Sequence, residues 1–173
     1  MELIKPAKQY LQSYYEACVE TWGHVHDSYI LHNPNDYAIW KNHIFEDYTN
    51  KENGLNLPQG IVPSITYWIV EENEYIGTIN IRPKLNESLK KYGGHAGFMV
   101  RVKYRNKGYG NFVGEMVLDK INSIGIKEIL LTCEETNIVS KKILDKLNPT
   151  KIEKDYILLN KSRVQIRRYY YKR

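Results

Sequence analysis

Cysteine is scarce in this chain: Cys18 and Cys133 are the only two, and they lie far apart in sequence. Such a pair supplies neither a disulfide framework nor the spacing of a zinc site, and it suits a reducing compartment. No unbroken apolar run is long enough to cross a bilayer. The opening MELIKPAKQY is interrupted by charge and proline and has no apolar signal core. Internal repeats and low-complexity tracts are also missing. These absences point to a cytoplasmic protein without a membrane partner, with residues 1–173 read as a single domain.

Charge is plentiful but unevenly placed. The formal net charge is +5, yet from Lys141 onward eleven Lys or Arg stand against three Asp or Glu, so the rest of the chain is slightly acidic. A basic end of this kind can track nucleic acid or an anionic cofactor, or simply form a solvated strand face.

Periodicity divides the chain into recognisable elements. Tyr10, Leu11, Tyr14, Tyr15, Cys18 and Val19 recur at helical spacing within residues 6–22, with Pro6 in the first turn. Asn35-Asp36 can cap a second helix through Ile39, Trp40, Ile44 and Phe45. Asn53-Gly54 and Pro58 then read as a loop. SITYWIVEE and YIGTINIR form an antiparallel hairpin, and HAGFMVRV is a third strand. After Gly108, Phe112, Val113, Met116, Val117, Ile121 and Ile124 share a helical face that Gly125 terminates. IKEILLTC is a buried strand. A short helix capped by Asn137 follows, with Ile138, Ile143, Leu144 and Leu147 inward, and two final strands turn around Asn160-Lys161. This order specifies a mixed α+β domain, a mostly antiparallel sheet flanked by helices.

The chemistry-bearing segment is strand, basic loop, glycine pair, helix: Arg105-Asn106-Lys107-Gly108-Tyr109-Gly110. A helix start leaves N–H groups without intrahelical partners and is electropositive. Glycine lets backbone approach an anion closely, and Arg105 and Lys107 add charge, so a diphosphate fits. Two other phosphate loops are excluded. A Walker loop requires lysine and a hydroxyl residue after its last glycine, where Asn111 and Phe112 stand here, and Gly108, Gly110 and Gly114 lack the dinucleotide spacing.

The segment resembles the signature of the GCN5-related N-acetyltransferase (GNAT) superfamily, in which Arg or Gln, two residues, Gly, one residue, and Gly or Ala mark the strand-to-helix junction. Arg105, Gly108 and Gly110 match it, after VRVKY; Asn137 and Ser140 match the Asn-x-x-small pattern of the next helix. The resemblance is clear from Gly93 to Leu147, and SITYWIV, INIR, GGHAGF and TCEETNIVS are similar to a bacterial subgroup of acetyltransferases. It implies acetyl-CoA as co-substrate on a strand–helix–strand–helix core. Main-chain groups of Phe98, Met99 and Val100 would then pair with the pantetheine arm. Amides of Asn106, Lys107, Gly108, Tyr109, Gly110 and Asn111 would hold the pyrophosphate, with the side chain of Arg105 adding positive charge. Asn137 and Ser140 would contact the coenzyme's far side, with Lys141 and Lys142 near its ribose phosphate.

The implied reaction is direct acetyl transfer from thioester to a primary amine, needing an uncharged amine, an oxyanion donor and an acid for the thiolate. The chain departs from its relatives at two positions. Gly94 stands where some members carry a carboxylate, and Leu144 where many carry a tyrosine acid. His95 is the replacement base, its ordinary pKa being suitable, unless it only hydrogen-bonds a neighbouring strand. Glu134, with Glu135, is a second route through water, and Tyr104 and Tyr109 are candidate acids. Cys133 reads as a small buried side chain.

His24, His26, Asp27 and His32 have donor chemistry for a divalent ion but no ligand spacing, so contact with the acceptor is the preferred reading and no metal is expected. Two other functions remain in view. One is a non-catalytic acyl-CoA sensor, from the two departures. The other is a nucleic-acid-binding module, from RVQIRRYYYKR, ranked below the others because its alternation already fits a strand. The quaternary structure is read as monomer or homodimer.

Overall fold

A computed structural model describes residues 1–22, 31–159 and 161–173. His24, His26 and Asp27 of the histidine-rich segment, and Asn160 of the last turn, lie outside the described residues. The chain folds as two compact units that alternate along the sequence: residues 1–81 with 97–110, and residues 82–96 with 111–173.

The first unit is built on a sheet ordered β1 (Glu2–Ile4), β2 (Ile65–Glu71), β3 (Glu74–Ile81) and β4 (Ala96–Val100). β2 and β3 form the expected hairpin, with Glu71 opposite Glu74 and Glu72 at a φ of 54° in the tight turn. β3 and β4 approach so closely that a Cβ on Gly77 would sit 2.3 Å from the Met99 carbonyl oxygen. Only glycine permits that contact.

Against this sheet pack α1 (Leu11–Thr21), α2 (Tyr37–Trp40) and α3 (Ile44–Asn53). The expected first helix opens as a 3-10 turn over Lys8–Tyr10. The expected second helix is interrupted at residues 41–43, so its apolar positions fall on two short helices. Asp36 stands at the N-cap position of α2 but makes no side-chain capping bond, while Asn33 caps the preceding 3-10 turn over Pro34–Asp36, its side chain accepting from the Asn35 amide at 3.0 Å. α3 then ends on Gly54 in the left-handed region.

The core of this unit is aromatic and carries buried hydroxyls. Tyr14 stacks on Trp68 with centroids 4.5 Å apart, and its hydroxyl lies 2.7 Å from His32 Nδ1. Burial holds His32 down at about 4, so the ring is neutral in the fold. Once unfolded it regains an ordinary value of about 6.5 and binds more protons than the native state in between. Its contribution to stability is therefore complete above about pH 6.5 and is lost as pH falls toward 4. We expect the urea midpoint to drop across that window by the equivalent of about 3 kcal/mol, and the drop to be shallower in His32→Gln.

The second unit has a sheet ordered β5 (Glu128–Glu134), β7 (Ser162–Lys172) and β6 (Lys151–Leu159), antiparallel throughout. α5 (Tyr109–Ser123) buries Val113, Val117, Leu118 and Ile121. It meets α6 (Ile138–Lys146) where a Cβ on Gly114 would lie 2.9 Å from Ile143. Phe112 and Ile124, read as inward, are exposed instead, because the i, i+4 row through Val113 sets the buried face of α5; Ile138, also read as inward, is exposed at the start of α6, which buries Leu144. A short helix absent from the sequence reading, α4 (Glu87–Lys91), is capped by Asn86, whose side chain accepts from the Leu89 amide.

β7 absorbs the basic tyrosine-rich segment. Tyr169 and Tyr171 are buried, Arg167 pairs with Glu135, and Arg168 pairs with Glu153 and Asp155. Those tyrosines and arginines serve the sheet, which weakens the nucleic-acid reading. No helix among the described residues is long and apolar enough to cross a membrane.

Candidate active site

In the first unit, β4 leads through Arg101 and a 3-10 turn over Val102–Tyr104 into the loop that opens α5. Asn106 and Gly108 both lie in the left-handed region, at φ of 59° and 86°. The two left-handed residues follow Arg105, which is extended, and lead directly into the start of α5, whose first N–H groups have no intrahelical partners. Asparagine tolerates that conformation through its short polar side chain, and glycine adopts it freely. No atom lies within 4 Å of where a Gly108 Cβ would be, so backbone angle and not space requires glycine there.

Side chains of this loop are anchored. Arg105 Nε donates to the Val100 carbonyl at 2.8 Å. Tyr109 donates its hydroxyl to Glu71 at 2.8 Å, and Tyr104 donates to Glu74, which also pairs with Lys103. Both hydroxyls are thereby pushed above the usual tyrosine range: the Glu71 bond leads for Tyr109, while for Tyr104 burial leads and Glu74 adds to it. Lys107 projects its ammonium 5.8 Å over the Tyr104 ring.

β4 is the last strand of its sheet. Strand alternation divides its main-chain groups between two edges. Met99 faces β3, as its carbonyl beside Gly77 shows, and the Arg101 amide donates to Ile76 on that same side. Phe98 and Val100 therefore present their groups at the open edge, where the Val100 carbonyl is already held by Arg105.

Arg101, which the sequence reading passed over, is 1 % exposed. It makes two bonds to Glu20, at 2.6 and 3.0 Å, and one to Ser13 at 2.9 Å, with Glu16 and Glu74 at 3.4 and 3.8 Å. A signal for it existed: an arginine ending an apolar strand, and Ser13, Glu16 and Glu20 on one face of a helix.

In the second unit, the segment before β4 is fastened to β5. The His95 amide donates to the Leu130 carbonyl at 2.7 Å, and the Leu130 amide donates to His95 Nδ1 at 2.9 Å. A neutral imidazole carries one N–H, so an accepting Nδ1 places that proton on Nε2. Burial lowers the His95 pKa, and the Arg82 charge acts the same way. For the ring to take up a proton, which it can do only at Nδ1, the bond from Leu130 must first be released. His95 also borders a cavity of about 560 Å³ lined by Glu128, Leu130, Lys151, Tyr170 and Lys172.

The two departures have a structural basis. Gly94 lies at a φ of 58°, and a Cβ on it would sit 2.4 Å from the Leu130 carbonyl oxygen, so a carboxylate side chain does not fit. Leu144 is 2 % exposed and packs inward, with the Tyr171 hydroxyl donating to its carbonyl.

At the end of β5, Glu134 accepts from the Tyr92 hydroxyl at 3.3 Å and the Thr136 hydroxyl at 3.4 Å. Glu135 is held by Arg167 and Lys141, which keep its carboxyl at about 2, too weak a base for an amine's proton. The Lys141 ammonium is committed to that carboxylate and to the Glu135 carbonyl. Asn137 caps α6, its side-chain oxygen accepting from the Ser140 amide at 3.0 Å. Cys133 is buried, and burial pushes its thiol up to about 11, which keeps it protonated. No group of three metal-ligating side chains occurs among the described residues.

Comparison with known proteins adds a consistent set of likenesses. Residues 15–148 match the family model described as an acetyltransferase (GNAT) domain. No curated protein matches the chain. Among solved structures, a ribosomal L7/L12 alpha-N-protein acetyltransferase in complex with coenzyme A, as a coenzyme–cysteine disulfide, superposes with a TM-score of 0.65 at 13% identity, covering 98% of this chain and 92% of that one. A ribosomal-protein-S5-alanine acetyltransferase from Vibrio fischeri gives 0.62 at 16% identity over 99% and 91% of the two chains. The microcin C7 self-immunity acetyltransferase, in complex with acetyl-CoA and AMP, gives 0.62 at 14% identity over 99% and 91%.

Proposed function

This chain belongs to the acetyltransferase (GNAT) family, and from that premise we propose that residues 1–173 act as one cytoplasmic domain transferring acetyl from acetyl-CoA to a primary amine of a small molecule or peptide. The observation that carries the reading is the loop before α5, where Asn106 and Gly108 take left-handed conformations beside a helix start just after the edge strand β4. The amine class is supported by similar structures named for acylating a protein N-terminus or an alanine. Both cysteines are unpaired thiols, in keeping with a reducing setting.

When bound, the co-substrate supplies an activated acetyl carbonyl. The chain's own part is to hold and orient. Amides from Asn106 through Asn111 take the diphosphate, and the main-chain groups of Phe98 with the Val100 amide align the amide-bearing arm. In the second unit, the amide nitrogen of Asn137 and the Ser140 hydroxyl are the polar groups offered to the coenzyme at the start of α6. Glu134 receives the amine's proton through water. His95, with its proton on Nε2, serves as a hydrogen-bond donor in its present state and as a base only after releasing Leu130.

Incubating the protein with acetyl-CoA and a panel of primary amines, while following free thiol, tests this directly. Calorimetry with coenzyme A alone provides the binding arm, and absence of binding would refute the reading. The crowding at Gly94 and the buried Leu144 favour one alternative, a non-catalytic acyl-CoA sensor. Tight binding with no thiol release on any amine selects it, whereas a turnover defect in Glu134→Gln or His95→Ala selects the enzyme.

A further inference from the structure

We propose that Glu71 and Glu74, at the two ends of the β2–β3 turn, are positioning residues for the coenzyme loop, acting through Tyr109 and Tyr104. The inference rests on the reading of that loop as the diphosphate site and adds residues from an element that the signature does not include.

Two carboxylates beside a loop meant for an anion are electrostatically adverse, so their presence asks for a reason. Glu71 and Glu74 face each other across the hairpin register, with side chains 40% and 42% exposed. Neither is spent on the sheet. Glu74 accepts from the Tyr104 hydroxyl, pairs with the Lys103 ammonium and stands 3.8 Å from Arg101. Glu71 accepts from the Tyr109 hydroxyl at 2.8 Å and lies 3.4 Å from the amino group of Met1. These bonds hold both carboxyls below the usual range, so both are ionised near neutrality.

The placement of the two tyrosines gives these contacts their meaning. Tyr104 closes the 3-10 turn and Tyr109 is the first residue of α5, so they bracket the left-handed pair Asn106 and Gly108. Their rings lie 5.4 Å apart. Between them, Asn106, Lys107 and Gly108 are exposed and gain little from packing. Ordering such residues costs about 1–2 kcal/mol each. Charge-assisted bonds at both ends meet that cost before the ligand arrives, which is preorganisation.

Calorimetry on the full chain separates this role from a simple charge effect, because the two have opposite signs. A carboxylate acting through charge alone repels a diphosphate, and its removal tightens binding. A positioning carboxylate loosens binding when removed. We expect Glu71→Ala and Tyr109→Phe each to weaken coenzyme A about tenfold through lost preorganisation. Glu71→Gln, whose amide oxygen still accepts from Tyr109, should restore most of that affinity. Combining Glu71→Ala with Tyr109→Phe should cost no more than either alone. S-acetylpantetheine, which lacks the diphosphate, should saturate all variants at the same concentration; a general structural loss would shift both ligands together. Tyr109→Phe removes one partly exposed oxygen and keeps the test usable if Glu71→Ala folds poorly. Equal coenzyme affinity in Tyr109→Phe and the unaltered protein, or tighter binding by Glu71→Ala, overturns this proposal alone. Failure of the unaltered protein to bind coenzyme A overturns the underlying reading and this proposal with it.

Discussion

Replacing Gly108 with valine should lower coenzyme A affinity by about 100-fold, while Gly108→Asn should retain most of it. Space does not decide between them, since nothing lies within 4 Å of the added Cβ. The backbone does. At a φ of 86° a β-branched residue is strained by about 1–3 kcal/mol. The loop would relieve that strain by rotating residue 108 out of the left-handed region, which would reorient the adjacent peptide groups at the entry to α5. Asparagine visits that region as a single residue at much smaller cost. Calorimetry on the pair, with circular dichroism to confirm that α5 is intact, checks the expectation. Equal loss in both variants would show that side-chain bulk, and not backbone angle, governs the site.

The second large effect should be on stability. Arg101→Met should destabilise the protein by about 3 kcal/mol, the lower end for breaking a buried ion pair by removing one partner. The guanidinium is almost wholly buried, and its removal leaves Glu20 and Glu16 without their shared cation and the Ser13 hydroxyl with the Tyr75 amide as its remaining partner. Those carboxylates are partly exposed and regain some water, which limits the loss. A urea titration should show a lower midpoint with an unchanged slope. The charge-neutral control is informative: Glu20→Gln keeps a hydrogen bond to Arg101 and should cost less than Arg101→Met. If Arg101→Met is as stable as the parent, the network is a by-product of packing.

Much of the fold was legible because its elements follow local rules. The β2–β3 hairpin, the glycine-opened α5, the apolar β5 and the Asn137 cap all have short-range signals, and each stands where those signals place it. What escaped depends on partners distant in sequence. The exposure of Phe112 follows from which α5 row meets its unit's core, and the strand order β5-β7-β6 from long-range pairing. The five-residue α4 is too short for a periodic signal. At the candidate site, the left-handed loop was predictable from Asn106 and Gly108. The register that turns Met99 toward β3 and the Leu130 amide that fills His95 Nδ1 were not, since one residue type reads alike on either edge of a strand.

The central place of β7 in its sheet has a consequence for how the chain is made. β5 and β6 are each hydrogen-bonded to β7 and not to each other, and β7 runs to Lys172. During synthesis both earlier strands are made before their common partner, and their backbone edges stay unsatisfied until it follows. The three-stranded sheet can therefore close only after translation has passed residue 172, and that interval is when nascent chains are most open to chaperones and to one another.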